Sequence, residues 1–177
     1  AAYGALAEET GPTAQDCRNV ATLLASRRKP GEALTWVERG LDLDKKTPHG
    51  SMAGYDLGKL KRDLLTRLGR GDEALEAAWA EYREHPSTYT YDDLMKFVPK
   101  AERRAWHEKA MDAGQGADLD SLIELLLETQ ETERFADLVR RSTDEALEQV
   151  SHYTAEPAAK KLEKPHPDLA ARLWRAQ

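Results

Sequence analysis

The chain has 177 residues, 33% of them charged, a formal net charge of -6 and one cysteine. A single cysteine excludes an internal disulfide and a thiolate zinc cluster. The acidic balance argues against a phosphate backbone as partner, and no apolar run reaches the ~20 residues that a bilayer-spanning helix needs. Ala and Leu together number 49, against 6 for Ile and Val together and 2 for Phe; strands favour β-branched and aromatic residues, so the expected class is all-α.

In chain order, a short helical stub is expected over 2–9, ended by Thr10, Gly11 and Pro12. Thr13 suits the N-cap of a helix over 14–26, and Pro30 and Gly31 turn the chain into a partner helix reaching Leu41. DKKTPHGSMAG, between Leu43 and Tyr55, reads as an inserted loop. From Asp56, Leu57, Leu60, Leu64, Leu65 and Leu68 follow three-and-four spacing until Gly69 and Gly71 interrupt it. A second helix then carries Ala74, Leu75, Ala78, Trp79 and Tyr82 and stops before Pro86. Ser87 or Thr88 caps a third pair, broken at Val98 and Pro99. The fourth pair runs over 118–128 and 131–141 after Gly114-Gln115-Gly116. Short helices are expected over 143–150 and 154–163, and Pro165 and Pro167 open the last one.

Ala74, Ala105 and Ala136 fall 31 residues apart on the second helices, where a small residue lets two helices approach closely. Such a period belongs to helix-turn-helix arrays. Gly69, Ala74 and Pro86 also match the glycine, alanine and proline of a tetratricopeptide repeat, with Lys61 and Arg62 where that motif has a Leu-Gly or Leu-Ala pair, and Arg28 and Lys45 replacing the glycine and proline in the unit beginning near Thr13. RRKPGEALTWVERGL, YDDLMKFVPKAERRAWHEKAM and AAKKLEKPHPDLAARLWRA resemble segments of a bacterial tetratricopeptide-like domain that in some proteins sits beside a SWIM-type zinc finger. The resemblance implies an α-solenoid of stacked antiparallel helix pairs, with about ten to twelve helices in one domain. It implies no activity. Starting at Ala1 without methionine, the chain reads as a piece of a longer one.

Of the residues able to do chemistry, His49, His85, His107, His152 and His166 show no i, i+4 pair and no HExxH, so they read as surface or capping histidines rather than metal ligands. His49 to Gly54 lacks the spacing of a nucleophile elbow. Gly114 to Gly116 lacks the third glycine of a dinucleotide site. Asp120, Glu124 and Glu128 form an i, i+4 stripe opposite leucines, the pattern of a solvated helix face. Arg27 to Lys29, Lys45-Lys46, Lys59-Lys61-Arg62, Arg140-Arg141 and Lys160-Lys161 sit at turns and helix ends, where several offset a macrodipole. Trp36, Trp79, Trp106 and Trp174 fall on second helices, with Phe135 in the comparable place on another, and are expected to fill the seams between pairs. Cys17 reads as a small packed hydrophobe.

The functional expectation is a non-enzymatic, cytoplasmic scaffold without cofactor or metal, binding a protein or peptide. In tetratricopeptide-like stacks the first helices line the concave surface, and the resemblance places Arg18, Thr22, Lys59 and Asp63 there. Neither nucleic acid nor membrane is expected to bind this segment directly. Weak self-association through uncapped ends is a further expectation, suggested by Leu169, Leu173 and Trp174 near the terminus. The alternatives are a structural or regulatory arm of a larger nucleic-acid-associated protein, as the SWIM-finger resemblance implies, and an enzyme with a site between helices, which no visible set of nucleophile, base and oxyanion donor supports.

Overall fold

A computed structural model describes residues 11–46 and 51–177. Among them are eleven α-helices and no strand: α1 (Ala14–Ser26), α2 (Pro30–Asp44), α3 (Met52–Arg67), α4 (Gly71–Glu84), α5 (Thr88–Phe97), α6 (Arg103–Ala113), α7 (Leu119–Glu128), α8 (Thr132–Arg141), α9 (Asp144–Glu148), α10 (His152–Leu162) and α11 (Pro167–Arg175). The stub expected over 2–9 and the loop centre with His49 lie outside the described residues. Two compact units divide the chain, residues 1–79 and 80–177, and the boundary falls within α4.

In the first unit α1, α2 and α3 pack on one another. Thr13 starts α1 through a capping box with Asp16, which satisfies backbone donors that the first turn leaves unpaired. Cys17, Ala21, Ala33, Val37, Leu57 and Leu64 are fully buried, and burial raises the Cys17 thiol pKa. α2 comes so close that a Cβ on Gly40 would lie 2.6 Å from Leu57 Cδ1 and 2.8 Å from Cys17 Cβ. The expected inserted loop is shorter than its composition suggested, because Met52 to Tyr55 are helical. Ser51 caps Gly54 N–H at 3.1 Å and donates its own N–H to Asp44 at 3.3 Å. The last residue of α2 thus puts a carboxylate at the positive end of α3.

In the second unit α5 packs on α6 and α7, α7 on α8 and α10, α8 on α10 and α11, and α10 on α11. Tyr82 is fully buried and donates to the Ala110 carbonyl at 2.7 Å. The absent Cβ of Gly114 makes room for it, since one there would lie 2.7 Å from the Tyr82 hydroxyl. Arg172 of α11 closes the C-terminal end of α8, donating to the Val139 and Ser142 carbonyls at 2.6 Å each while its Nε holds Asp144 at 2.7 Å. The Val139 carbonyl, in the last turn of α8, has no partner within the helix, the Ser142 carbonyl lies just past its end, and the planar guanidinium serves several acceptors at once.

Three reversals share one geometry. After α3, Arg70 N–H donates to the Leu65 carbonyl and Gly69 N–H to Thr66, with Gly69 at φ 75°. The same pair of bonds recurs after α1, from Lys29 to Leu24 and Arg28 to Ala25, and after α7, from Glu131 to Leu126 and Gln130 to Leu127. Arg28 at φ 60° and Gln130 at φ 61° occupy the left-handed position. Each turn is therefore a Schellman ending, and Arg28 performs the task that Gly69 performs without a Cβ.

Several expectations fail for physical reasons. Ala33, Ala74 and Ala136 are fully buried, but Ala105 is exposed. The third pair turns through Pro99 and a 3-10 segment, Lys100–Glu102, rather than a Schellman ending, and the buried small residue of α6 is Ala110 instead. None of the four tryptophans is fully buried; among the described residues Tyr82 and Phe135 are the fully buried aromatics. Trp36 carries the Arg39 guanidinium 5.2 Å from its ring centroid and Trp106 the Lys109 ammonium at 4.1 Å, while Trp174 is 39% exposed. Indoles stacked under cations hold the boundary with water. Arg62, read as part of a basic cluster at a turn or helix end, lies mid-helix and is buried.

The three Schellman turns predict substitutions of opposite sign. Gly69→Ala should cost about 1 kcal/mol, because the added Cβ is strained at positive φ. Arg28→Gly and Gln130→Gly should each gain from a few tenths to about 1 kcal/mol by relieving that strain. Urea unfolding of the three variants beside the parent measures each difference; a loss at Arg28 and Gln130 would show that their side chains outweigh the backbone strain.

Candidate functional site

The second unit presents three helices, α5, α7 and α10, whose starts are fixed by side chains. Ser87 and Thr90 form a capping box on α5. Asp118 caps α7 by accepting the Ser121 N–H at 3.0 Å, and this bond, with further hydrogen bonds from the Ser121 side chain, holds its carboxyl below the usual carboxylate range. The α10 start is set from α7, where Asp120 accepts the Ser151 N–H at 2.9 Å. One turn on, Glu124 accepts the Thr154 hydroxyl at 3.2 Å. The expected solvated stripe of Asp120, Glu124 and Glu128 is therefore a correction: two of its three carboxylates fasten α10 to α7. Their i, i+4 spacing places them on one face, and that face meets a helix for part of its length.

Between these helices lies an open groove of about 470 Å³. α5 contributes Thr88 and Asp92, and α7 contributes Glu124, Leu127 and Glu128. The third wall is Tyr153, Thr154 and Pro157 of α10. Three of these residues are carboxylates, and none is cationic. Tyr153 stands 89% exposed beside Thr154, which is buried. Pro157 lies inside α10 and has no N–H to return to the Tyr153 carbonyl four residues before it. That wall thus combines an exposed aromatic ring with a main-chain acceptor that lacks its usual helical donor.

A second polar cluster joins α5, α6 and the start of α8. The Tyr91 hydroxyl lies 2.8 Å from His107 Nδ1, and Glu131 lies 2.9 Å from His107 Nε2. With Nε2–H donating to the carboxylate, Nδ1 accepts the phenolic proton. Burial, then the neighbouring Asp92 and Glu131, raise the Tyr91 pKa, so the phenol keeps its proton. Arg134 holds Glu131 at 3.4 Å and reaches back to Glu108 on α6 at 2.5 Å. His107 is thus no surface histidine but the centre of a clamp. Its residues bond one another, and none lines the groove. Among the described residues no group of three His, Cys, Asp or Glu side chains could hold a metal ion, and no helix is long and apolar enough to cross a membrane.

The four groove residues expected from the resemblance lie on α1 and α3 of the first unit, which pack together. Arg18 pairs with Asp56 at 2.8 Å, and Thr22 donates to the Arg18 carbonyl at 2.8 Å. Lys59 and Asp63 are exposed on α3. Arg18 accordingly ties α1 to α3. None of the four lines the groove of the second unit, which sequence reading missed. The available signal was Pro157, a proline inside an otherwise helical stretch, four residues after a tyrosine.

One family model, described as a family of unknown function (DUF6880), matches residues 2–177. No tetratricopeptide or SWIM zinc-finger family model matches, so the likeness of Gly69, Ala74 and Pro86 stands as a likeness of residue pattern. No curated protein and no solved structure matches the chain.

The central helix of the groove depends on its cap. Asp118→Ala should cost roughly 1 kcal/mol at pH 7 and Asp118→Asn far less, because asparagine also caps. A carboxyl whose pKa is lowered on folding adds stability above its unfolded value of about 3.9 and loses it as pH falls through the folded value. The gap between parent and Asp118→Ala should therefore narrow in acid, which urea unfolding at pH 7 and pH 3 would measure.

Proposed function

Since this chain belongs to the DUF6880 family, whose function is unknown, we propose from its geometry that it is a non-enzymatic helical-repeat scaffold, holding a segment of a protein or peptide partner across α5, α7 and α10. In this reading the chain is an α-solenoid of antiparallel helix pairs, and those three are first helices of successive pairs. Contacts of α7 with both α5 and α10, and of α8 with α11, support that order. So does the recurrence of one Schellman turn inside three pairs.

The observation that carries the reading is the groove itself, crossing three helices and edged by a tyrosine 89% exposed. An aromatic ring beside a concave surface supplies contact area at little cost in side-chain entropy. The Tyr91, His107 and Glu131 cluster supports a structural role over a reaction, because its hydrogen-bonding groups are engaged with one another and it does not line the groove. Arg18 and Asp56 support the same architecture in the first unit, joining two first helices as Asp120 and Glu124 join α7 to α10.

Selection of a displayed random-peptide library on the purified full chain tests this. Binders are expected whose affinity falls by about tenfold or more with Tyr153→Ala, the loss of one interface anchor. Lys59→Glu, on the face expected from the resemblance, should leave those binders unaffected. Enrichment of nothing, or of peptides indifferent to Tyr153, would remove the reading.

A further inference from the structure

We propose that the segment held in this groove is cationic: a short run of a partner polypeptide that sets Lys or Arg side chains against Asp92, Glu124 and Glu128 and aliphatic ones against Leu127 and Tyr153. This deepens the scaffold reading and rests on it.

The first support is charge. In the same unit Asp93 pairs with Lys96, Glu131 with Arg134, Asp137 with Arg140, Asp144 with Arg172 and Glu156 with Lys160. Other described carboxylates of the unit, such as Glu145, Glu148 and Asp168, also stand without an ion pair, so what marks the groove is that its three converge on one concavity. Among the described residues neither Asp92 nor Glu128 has an ion-pair partner, and Glu124 bonds a neutral hydroxyl rather than a cation. Three carboxylates from two helices thus face one concavity with no cation among the residues lining it. All three are exposed, so their attraction for a cation acts at short range and is screened by salt.

The second support is the wall opposite. The Tyr153 ring, 89% exposed, offers an aromatic face to a Lys or Arg head group or its alkyl stem. That ring face favours a ligand carrying a cation. With Leu127 between, the groove alternates acceptors and apolar surface, which suits a chain of alternating basic and aliphatic residues.

Size and sign narrow the class. Two interaxial steps of 8–10 Å separate α5 from α10 by way of α7, roughly 16–20 Å or five to six extended residues. The open groove admits a main chain as well as a side chain. Nucleic acids and anionic membranes carry the same sign as the groove and are repelled by it.

The test is fluorescence anisotropy of the full chain with three labelled hexapeptides, Lys-Leu, Glu-Leu and Ser-Leu repeats. The Lys-Leu peptide should bind at least about tenfold more tightly than the Ser-Leu peptide, and this advantage should shrink about tenfold in Asp92→Asn/Glu128→Gln and in high salt. Glu145→Gln/Glu163→Gln, which removes two charges outside the groove, should leave it intact, and Tyr153→Ala should weaken the peptide without altering net charge. Equal losses from the two charge pairs would overturn the proposal by showing unselective attraction to an acidic protein. Ser-Leu or Glu-Leu binding as tight as Lys-Leu, and sensitive to Tyr153→Ala, would overturn the cationic assignment and leave the scaffold reading standing. Should none of the three bind while display selection also yields nothing, both fall. Melting curves of every variant confirm that folded proteins are compared; if the double carboxamide variant does not fold, the salt dependence and Tyr153→Ala decide.

Discussion

Helices faced with alanine bury little surface per residue, so they hold together only by lying close. That constraint runs through this protein. Ala21, Ala33, Ala74, Ala110, Ala136, Ala158 and Ala159 are fully buried, and Gly40 and Gly114 sit where even a methyl group would collide with a neighbouring side chain. Close approach maximises dispersion contacts at small residues, but it leaves little room for error at helix ends. Polar side chains therefore fix where each helix begins or stops. Asp44 sits at the start of α3, Arg172 at the end of α8 and Asp120 at the start of α10, while Tyr82 bonds the Ala110 carbonyl late in α6.

The same economy shapes the groove. α7 is the element that α5, α8 and α10 all contact; its leucines fill the core on one side, and its carboxylates reach α10 on the other. Asp120 is consumed by that attachment, Glu124 bonds Thr154 while also lining the cavity, and Glu128, one turn further, lines the cavity alone. One helical stripe thus changes from structural to available within three turns. Pro157 adds to this by removing a donor from α10 at the height where Tyr153 faces outward.

Two polar assemblies in the second unit invite comparison. The cluster around His107 has the residue types of a proton relay, yet its hydrogen-bonding groups are spent on one another and it braces α6 against α8. The groove contains no histidine and no nucleophile in special geometry, yet it is concave and carries uncompensated charge. Arrangement, more than residue type, separates a clamp from a surface suited to a partner. Membership of a family of unknown function adds no chemistry to either.

The all-α class, the caps at Thr13 and Ser87, and the turn at Gly69 were legible because each depends on residues within one or two turns of each other. Composition, spacing and capping chemistry act locally, so the chain alone determines them. It did not reveal that Arg28 and Gln130 would take the conformation of Gly69, because a left-handed residue other than glycine is imposed by the packing on either side of the turn. Nor could it separate Ala105, which is exposed, from Ala74 and Ala136, which are buried, since a 3-10 segment shifted the face of α6. The groove was beyond reach for the same reason. Asp92, Glu128 and Tyr153 lie far apart along the chain, and only the folding of α5, α7 and α10 against one another brings them to one concavity; which carboxylates are spent within the fold and which remain is settled by tertiary contacts that no spacing encodes.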